Sequence, residues 1–251
     1  MKVRWILAGA LVFAGGWATW AAPDSSRAES EGQALAQQLL AQKPAENSAI
    51  TGVLKIRDGK GKRIEIPVRS QIVTTPTNWQ SVYETSRGSN AIGVVKLEVI
   101  HSEDAPNQYR LTQPDTPDGC GGVGRVLTGN EAMIPFAGSD FWLADLGLEF
   151  LHWPGQRLLK KEMRRGQSCN VLESTNPQPG AGGYGRVVSW LDIETGGIVH
   201  AEAYDTRNKL LKEFGPKDFT KVNGRWELRE MEIRNVKERS STQLEFDLDK
   251  K

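Results

Sequence analysis

The last sixty-five or so residues of this chain, Tyr184 to Leu248, read as an unbroken succession of short β-strands joined by tight turns. Gly185–Ile193 meets the turn Glu194–Gly197, and Ile198–Tyr204 follows. Asp205–Asn208 turns the chain again into Lys209–Phe214. Asn223-Gly224 then separates Phe219–Val222 from Arg225–Arg234, and an Asn-Gly pair between two such runs is a strong short-range hairpin signal. The final run alternates, with Leu244, Phe246 and Leu248 on one face and Gln243, Glu245, Asp247 and Asp249 on the other. Connections this short force neighbouring strands to be antiparallel. A sheet of that kind has one apolar face that something must cover, and whether protein or ligand covers it is the functional question.

The upstream half carries the same pattern. Ile50–Ile56, a turn at Asp58–Gly61, Arg63–Val68, Ile72–Thr75, Trp79–Thr85, Ile92–His101 and Gln108–Gln113 all read as strands. Ahead of them, Gly32–Gln42 spaces Leu35, Leu39 and Leu40 as one helical stripe that ends before Pro44, while Asp24–Glu31 reads as loose and polar. No fixed-period repeat and no long linker divides the chain. The fold class is therefore mainly β (α+β), with residues 22–251 as one domain built on a continuous antiparallel sheet. Pro114–Pro135 is rich in Gly and Pro and reads as irregular. Its Gly119-Cys-Gly-Gly-Val-Gly124 cluster lacks the strand, helix and parallel βαβ setting that dinucleotide binding requires, so its glycines are assigned to turns.

Phe136–Pro154 is different in kind. Ser139 or Asp140 is placed to cap a helix starting near Phe141, and Pro154 stops it. Apolar side chains surround this segment on nearly every side, so it must be buried on most of them. It is either a fixed core plug or a movable lid across the sheet. Phe136, Phe141, Trp142, Leu146, Phe150 and Trp153 of this segment, with Trp190 and Trp226 from the strands, are the candidate lining of an apolar cavity.

Lys2 and Arg4, the uncharged run Trp5–Trp17 and the small residues of Thr19-Trp-Ala21 form the three-part layout of a secretory signal peptide, residues 1–21, cleaved near Ala21. The alternative is a membrane anchor of about minimal spanning length. No Cys lies near the cut, so the chain is expected to be exported unlipidated. Cys120 and Cys169 remain, and an even count in an oxidising compartment favours a disulfide, contributing roughly 3–4 kcal/mol for a loop of about fifty residues. Of 32 basic residues, loss of Lys2 and Arg4 leaves thirty against 31 acidic, a balance that gives little attraction for nucleic acid.

Enzyme signatures are thin. No nucleophile elbow, zinc helix or Cys-x-x-Cys occurs, and His101, His152 and His200 are scattered, so no catalytic residue, metal site or cofactor is assigned. Asp140 with Asp145 has the look of a carboxylate pair for glycoside hydrolysis. With 31 acids in the chain, chance pairs are expected, and these two are read instead as backbone caps meeting Lys160, Lys161 or Arg164.

Ser139-Asp-Phe-Trp-Leu-Ala-Asp-Leu146 resembles the serine-phenylalanine-aspartate-leucine stretch of the outer-membrane lipoprotein-sorting (LolA-like) family. Trp190-Leu-Asp192, Ala203-Tyr-Asp205 with Lys209–Lys212, and Gly224-Arg-Trp226 resemble successive strands and turns of its second half. The resemblance implies a strongly curved, unclosed antiparallel half-barrel with an N-terminal helix and a helical or loop lid across its concave face. It implies a monomeric periplasmic carrier, not an enzyme, that shelters lipid or lipoprotein acyl chains, with envelope proteins as further partners. A second reading is an envelope interaction module whose barrel is packed solid. A third is a hydrolase using dispersed acids.

Overall fold

Strand pairing, carried out in sequence order from both ends of the chain, generates the architecture. The computed structural model describes residues 25–86, 93–102, 105–114, 122–222 and 224–248. The first half contributes β1 (Ser48–Arg57), β2 (Arg63–Thr74), β3 (Asn78–Thr85), β4 (Lys96–Ser102), β5 (Gln108–Pro114) and β6 (Gly122–Thr128). The second contributes β7 (Gly155–Arg164), β8 (Gln167–Thr175), β9 (Arg186–Asp192), β10 (Ile198–Tyr204), β11 (Leu210–Val222), β12 (Arg225–Asn235) and β13 (Ser240–Phe246). Each half is a meander of antiparallel neighbours. The first and last strands zip the halves together, with Leu54 opposite Leu244 and Gly52 opposite Phe246. The result is one 13-stranded sheet, β6-β5-β4-β3-β2-β1-β13-β12-β11-β10-β9-β8-β7, which does not close into a barrel.

This order has a topological consequence. The two outermost strands, β6 and β7, are consecutive in sequence, so the chain between them must travel from one edge of the sheet to the other. It does so across the inner face. Phe136 meets Tyr83 of β3, Glu149 meets Tyr109 of β5, Phe150 meets Phe214 of β11 and Asp140 meets Thr242 of β13. One segment can touch strands that far apart in the order only if the sheet wraps around it. The main core cluster accordingly joins β-strand residues such as Leu54, Leu97, Leu111 and Ile233 to Phe136, Phe141, Leu143 and Phe150 of the crossover.

Several expectations are corrected. Where Asp24–Glu31 is expected to be loose, the helix α1 spans Ser25–Leu40, helped by the i,i+4 pair Arg27–Glu31 at 2.8 Å. It packs along β7, covering an edge strand that would otherwise present unpaired backbone. Within Pro114–Pro135, expected to be irregular, Gly122–Thr128 is strand β6 and Gly129–Ala132 a 3₁₀ turn. Full pairing with β5 and complete burial of Leu127 outweigh the low strand propensity of its glycines. The helix expected near Phe141 shrinks to one turn, α2 (Leu143–Leu146), followed by a 3₁₀ turn at Glu149–His152. Leu148, held left-handed at φ 50°, ends the first before the second begins. Lys209–Phe214 and Phe219–Val222 are parts of one strand, β11, with register irregularities between Pro216 and Phe219.

Cys169 is a buried free thiol on β8. Its expected partner Cys120 lies outside the described residues, as do the expected signal peptide and Asn223.

Gly32 explains how α1 sits so close to the sheet. A β-carbon there would lie 2.6 Å from the Arg157 backbone N and Cα. In a free helix Gly→Ala stabilises by about 1 kcal/mol. Here the sign should reverse: Gly32→Ala is expected to lower stability by roughly 1–2 kcal/mol in urea unfolding. A gain in stability would show that the helix is not seated against β7.

Candidate functional site

The crossover places three acids, Asp140, Asp145 and Glu149, inside an apolar hollow, and each is satisfied by a different part of the sheet. Asp140 accepts hydrogen bonds from Ser240 Oγ at 2.5 Å and Thr242 Oγ1 at 3.0 Å, both on β13. Asp145 accepts from the Tyr184 hydroxyl at 2.8 Å and from the Trp142 N–H at 2.8 Å, the latter capping α2. Lys212 of β11, 1% exposed, donates to the Asp140 carbonyl at 2.7 Å and lies 3.3 Å from the Asp145 carboxylate. Its ammonium also sits 3.6 Å from the centre of the Trp142 ring, which is itself stacked on Tyr184. Burial pushes the Lys212 ammonium below the ordinary lysine value, against the pull of Asp145.

Glu149 is held separately. It accepts from the Tyr109 hydroxyl at 2.8 Å, while Asn107 Nδ2 donates to the Gly147 carbonyl at 2.7 Å. Burial pushes the Glu149 carboxyl up to about 7, only partly opposed by the Tyr109 bond. These contacts fix the crossover to β5, to Tyr184 before β9, and to β11 and β13. It is a stapled plug over much of its length.

The plug does not fill everything. Between its Phe141–Leu151 stretch, the end of α1 and the strands β10–β12 lies a cavity of ≈ 390 Å³. Phe141, Leu148, Leu151, Ile198, Phe214 and Met231 line it, Phe219 and Leu228 stand at its outer end, and Gly196, Gly197 and Gly215 thin its wall. A second cavity of ≈ 260 Å³ lies on the far side of Leu39, Gln42, Leu148 and Leu151, which border both. Several hundred cubic ångströms of apolar space with few polar groups is the usual size and character of a small-molecule site.

The eight sequence-derived lining candidates separate under the structure. Phe141 lines the larger cavity and Leu146 the smaller. Phe136 and Phe150 are buried in the core, where they fill volume against Tyr83 and Phe214. Trp142 is engaged with Lys212 and Tyr184, and Trp153 borders a polar cleft beneath α1. Trp190 faces the opposite side of the sheet, in a small cluster with Cys169, Val171, Val188 and Val199, where Arg164 lies over its ring. Trp226 is 71% exposed at the end of a hairpin. Lys160, Lys161 and Arg164 do not meet Asp140 or Asp145. Lys160 pairs with Glu162 and Arg164 with Glu202, because β7 is an edge strand whereas the two aspartates lie under β11 and β13. The Lys212, Tyr184, Tyr109 and Glu149 contacts were not anticipated: a lysine within Lys-Leu-Leu-Lys carries no local mark of being buried.

Two measurements test these staples. Lys212→Met should cost roughly 3 kcal/mol because it leaves a buried carboxylate without its cation. The double variant with Asp145→Asn should cost less than the sum of the single changes; additive losses would mean the pair is uncoupled. For Glu149, a folded value near 7 against an unfolded value near 4.5 means the native state holds the extra proton. Its contribution is complete below about pH 4.5 and is lost as pH rises through 7. Wild type should therefore lose about 2 kcal/mol more between pH 5 and pH 8 than Glu149→Gln does. Parallel pH profiles for the two proteins would show that Glu149 is already ionised in the fold.

Comparison with known proteins bears on this architecture. A family model described as an uncharacterized protein matches residues 123–249. A DUF1329 family protein from Desulfovibrio piger superposes with a TM-score of 0.69 at 20% identity, over 88% of this chain and 91% of that one. A putative outer-membrane lipoprotein-sorting protein domain from Vibrio parahaemolyticus gives 0.69 at 20%, over 87% and 91%. A LolA superfamily protein from Nitrosomonas europaea gives 0.58 at 14%, over 88% and 91%. At these identities the likeness is one of fold. No curated protein matches the chain.

Proposed function

The chain belongs to the family of uncharacterized proteins whose model its residues 123–249 match, a LolA-like family, and from that premise we propose that it is a non-enzymatic carrier of acyl chains in the cell envelope. The cargo is the hydrocarbon of a lipid or lipoprotein, held in the ≈ 390 Å³ apolar cavity between the crossover and β10–β12. That cavity is the observation that carries the reading. An acyl chain in water costs about 0.8 kcal/mol for each exposed methylene, so a soluble carrier must offer an apolar hollow of this kind. The leader of residues 1–21 would deliver the chain to the periplasm, where a shuttle between membranes has its use. Asp140 and Asp145 accept hydrogen bonds from Ser240, Thr242, Tyr184 and the Trp142 N–H, which supports positioning rather than turnover as their role.

Native mass spectrometry of the protein purified from periplasm should reveal co-purifying acyl lipid, and a fluorescent fatty acid should bind the delipidated protein. Ile198→Trp, which puts bulk into the cavity from its wall, should weaken that binding at least tenfold with little change in the unfolding midpoint. Equal affinity in the variant would place the ligand elsewhere, and no binding by the wild type would remove the carrier reading.

A further inference from the structure

The hairpin joining β11 to β12 is longer than the sheet needs. β10 pairs with β11 only as far as Phe214, and β13 pairs with β12 only from Glu230 onward. Beyond those points the two strands pair solely with each other among the described residues, ending at Val222 opposite Arg225. An isolated two-stranded ribbon is marginal in water, so a projecting one is costly to keep unless its surface is used. Its register puts Phe219 opposite Leu228 and Lys221 opposite Trp226. Residues two apart on a strand share a face, so these four side chains lie on one side of the ribbon. It is the side that faces the cavity, since Phe219 and Leu228 stand at the cavity's outer end. An apolar track therefore runs from buried Ile233 through Met231 and Leu228 to Trp226 in solvent. Phe219 is 50% exposed and Trp226 71%.

Charge accompanies the aromatics. From Pro216 to Glu230 the sequence holds four basic residues, Lys217, Lys221, Arg225 and Arg229, and three acidic ones, Asp218, Glu227 and Glu230. Lys217 pairs with Glu230 at 3.0 Å and Arg229 lies 4.0 Å from Asp218, while Lys221 stands opposite Trp226 and Arg225 precedes it. An exposed tryptophan beside cations, on a ribbon continuous with an apolar cavity, has the chemistry of a membrane–water interface anchor.

We propose that this ribbon docks the protein on a lipid bilayer bearing anionic headgroups, with Trp226 and Phe219 entering the headgroup region and the cavity's outer end facing the membrane. The proposal builds on the carrier reading, because it supplies the route by which an acyl chain would pass between bilayer and cavity without crossing open water.

The test uses the full mature protein, phosphatidylglycerol-containing and pure phosphatidylcholine vesicles, and fluorescent fatty acid as an independent probe of the cavity. Wild type should co-sediment with the anionic vesicles, with a blue shift of its tryptophan emission, and bind the neutral ones more weakly. Trp226→Ala should lower vesicle partitioning at least tenfold and abolish the shift, while leaving fatty-acid affinity within twofold. Lys221→Glu should weaken partitioning several-fold at low salt and little at high salt. Failure of the wild type to bind either vesicle, or unchanged partitioning of Trp226→Ala, overturns the docking proposal whatever the fatty-acid result, and points to a protein surface as the ribbon's partner. Vesicle binding that needs Trp226, in a protein that takes up no fatty acid, upholds docking while removing the carrier reading.

Discussion

The structure depends on one connection, the passage of the chain from β6 to β7. Because these strands are the two free edges of a thirteen-stranded sheet, their linker has to cross its whole width. Crossing on the outer face would leave the inner apolar face bare. Crossing on the inner face lets the linker become the core, which is why Phe136–Trp153 is apolar on nearly every side and why no closed barrel is needed. The sheet curves around its own connection, and the long-range contacts of Phe136, Asp140, Glu149 and Phe150 record that curvature.

A linker held by apolar contacts alone could slide, since hydrophobic burial has no direction. The acids on it remove that freedom. Asp140 finds its partners in Ser240 and Thr242, Asp145 in Lys212 and Tyr184, and Glu149 in Tyr109. Burying these groups is unfavourable in isolation, and their partnered arrangement contributes little net stability. What it supplies is register. A plug shifted by one residue would strand charges in hydrocarbon, so the crossover has one position.

Much of this was legible in the residues. The hairpins of the second half followed from turn chemistry at Glu194–Gly197 and Asp205–Asn208, and the inner-face strands from alternation. The apolar crossover was visible as a segment that must be buried, and its likeness to the LolA-like stretch carried the fold. The misreadings share a cause, which is that tertiary pairing decided where local composition pointed elsewhere. Gly122 and Gly124 become strand because β5 offers an edge, Ser25–Glu31 becomes helix because β7 offers a surface, and Phe141 fails to start a helix because the chain must turn at Leu148 to follow the curve. The site was only partly readable for the same reason. Period-two logic cannot say which face of β9 is inner, so Trp190 was placed with the cavity although it lies on the other side, and nothing near Lys212 distinguishes it from Lys209.

The location of the empty space follows from the same forces. The hydrogen-bonded staples reach β5, β11, β13 and Tyr184, and around them Phe136, Leu143 and Phe150 of the crossover fill the core. Toward the start of β10 and the β11–β12 ribbon, Asp145 is the one acid of the crossover that borders the open space, and Gly196, Gly197 and Gly215 thin the wall. Gly215 cannot be replaced by a filling residue without cost, since a β-carbon there would lie 2.9 Å from the Val199 carbonyl. The cavity sits beside Leu148 in its strained conformation, and where the ribbon carries apolar surface outward. The cavity and the part of the sheet that projects meet at one end of the molecule, and that end is where the proposed guest chain would enter.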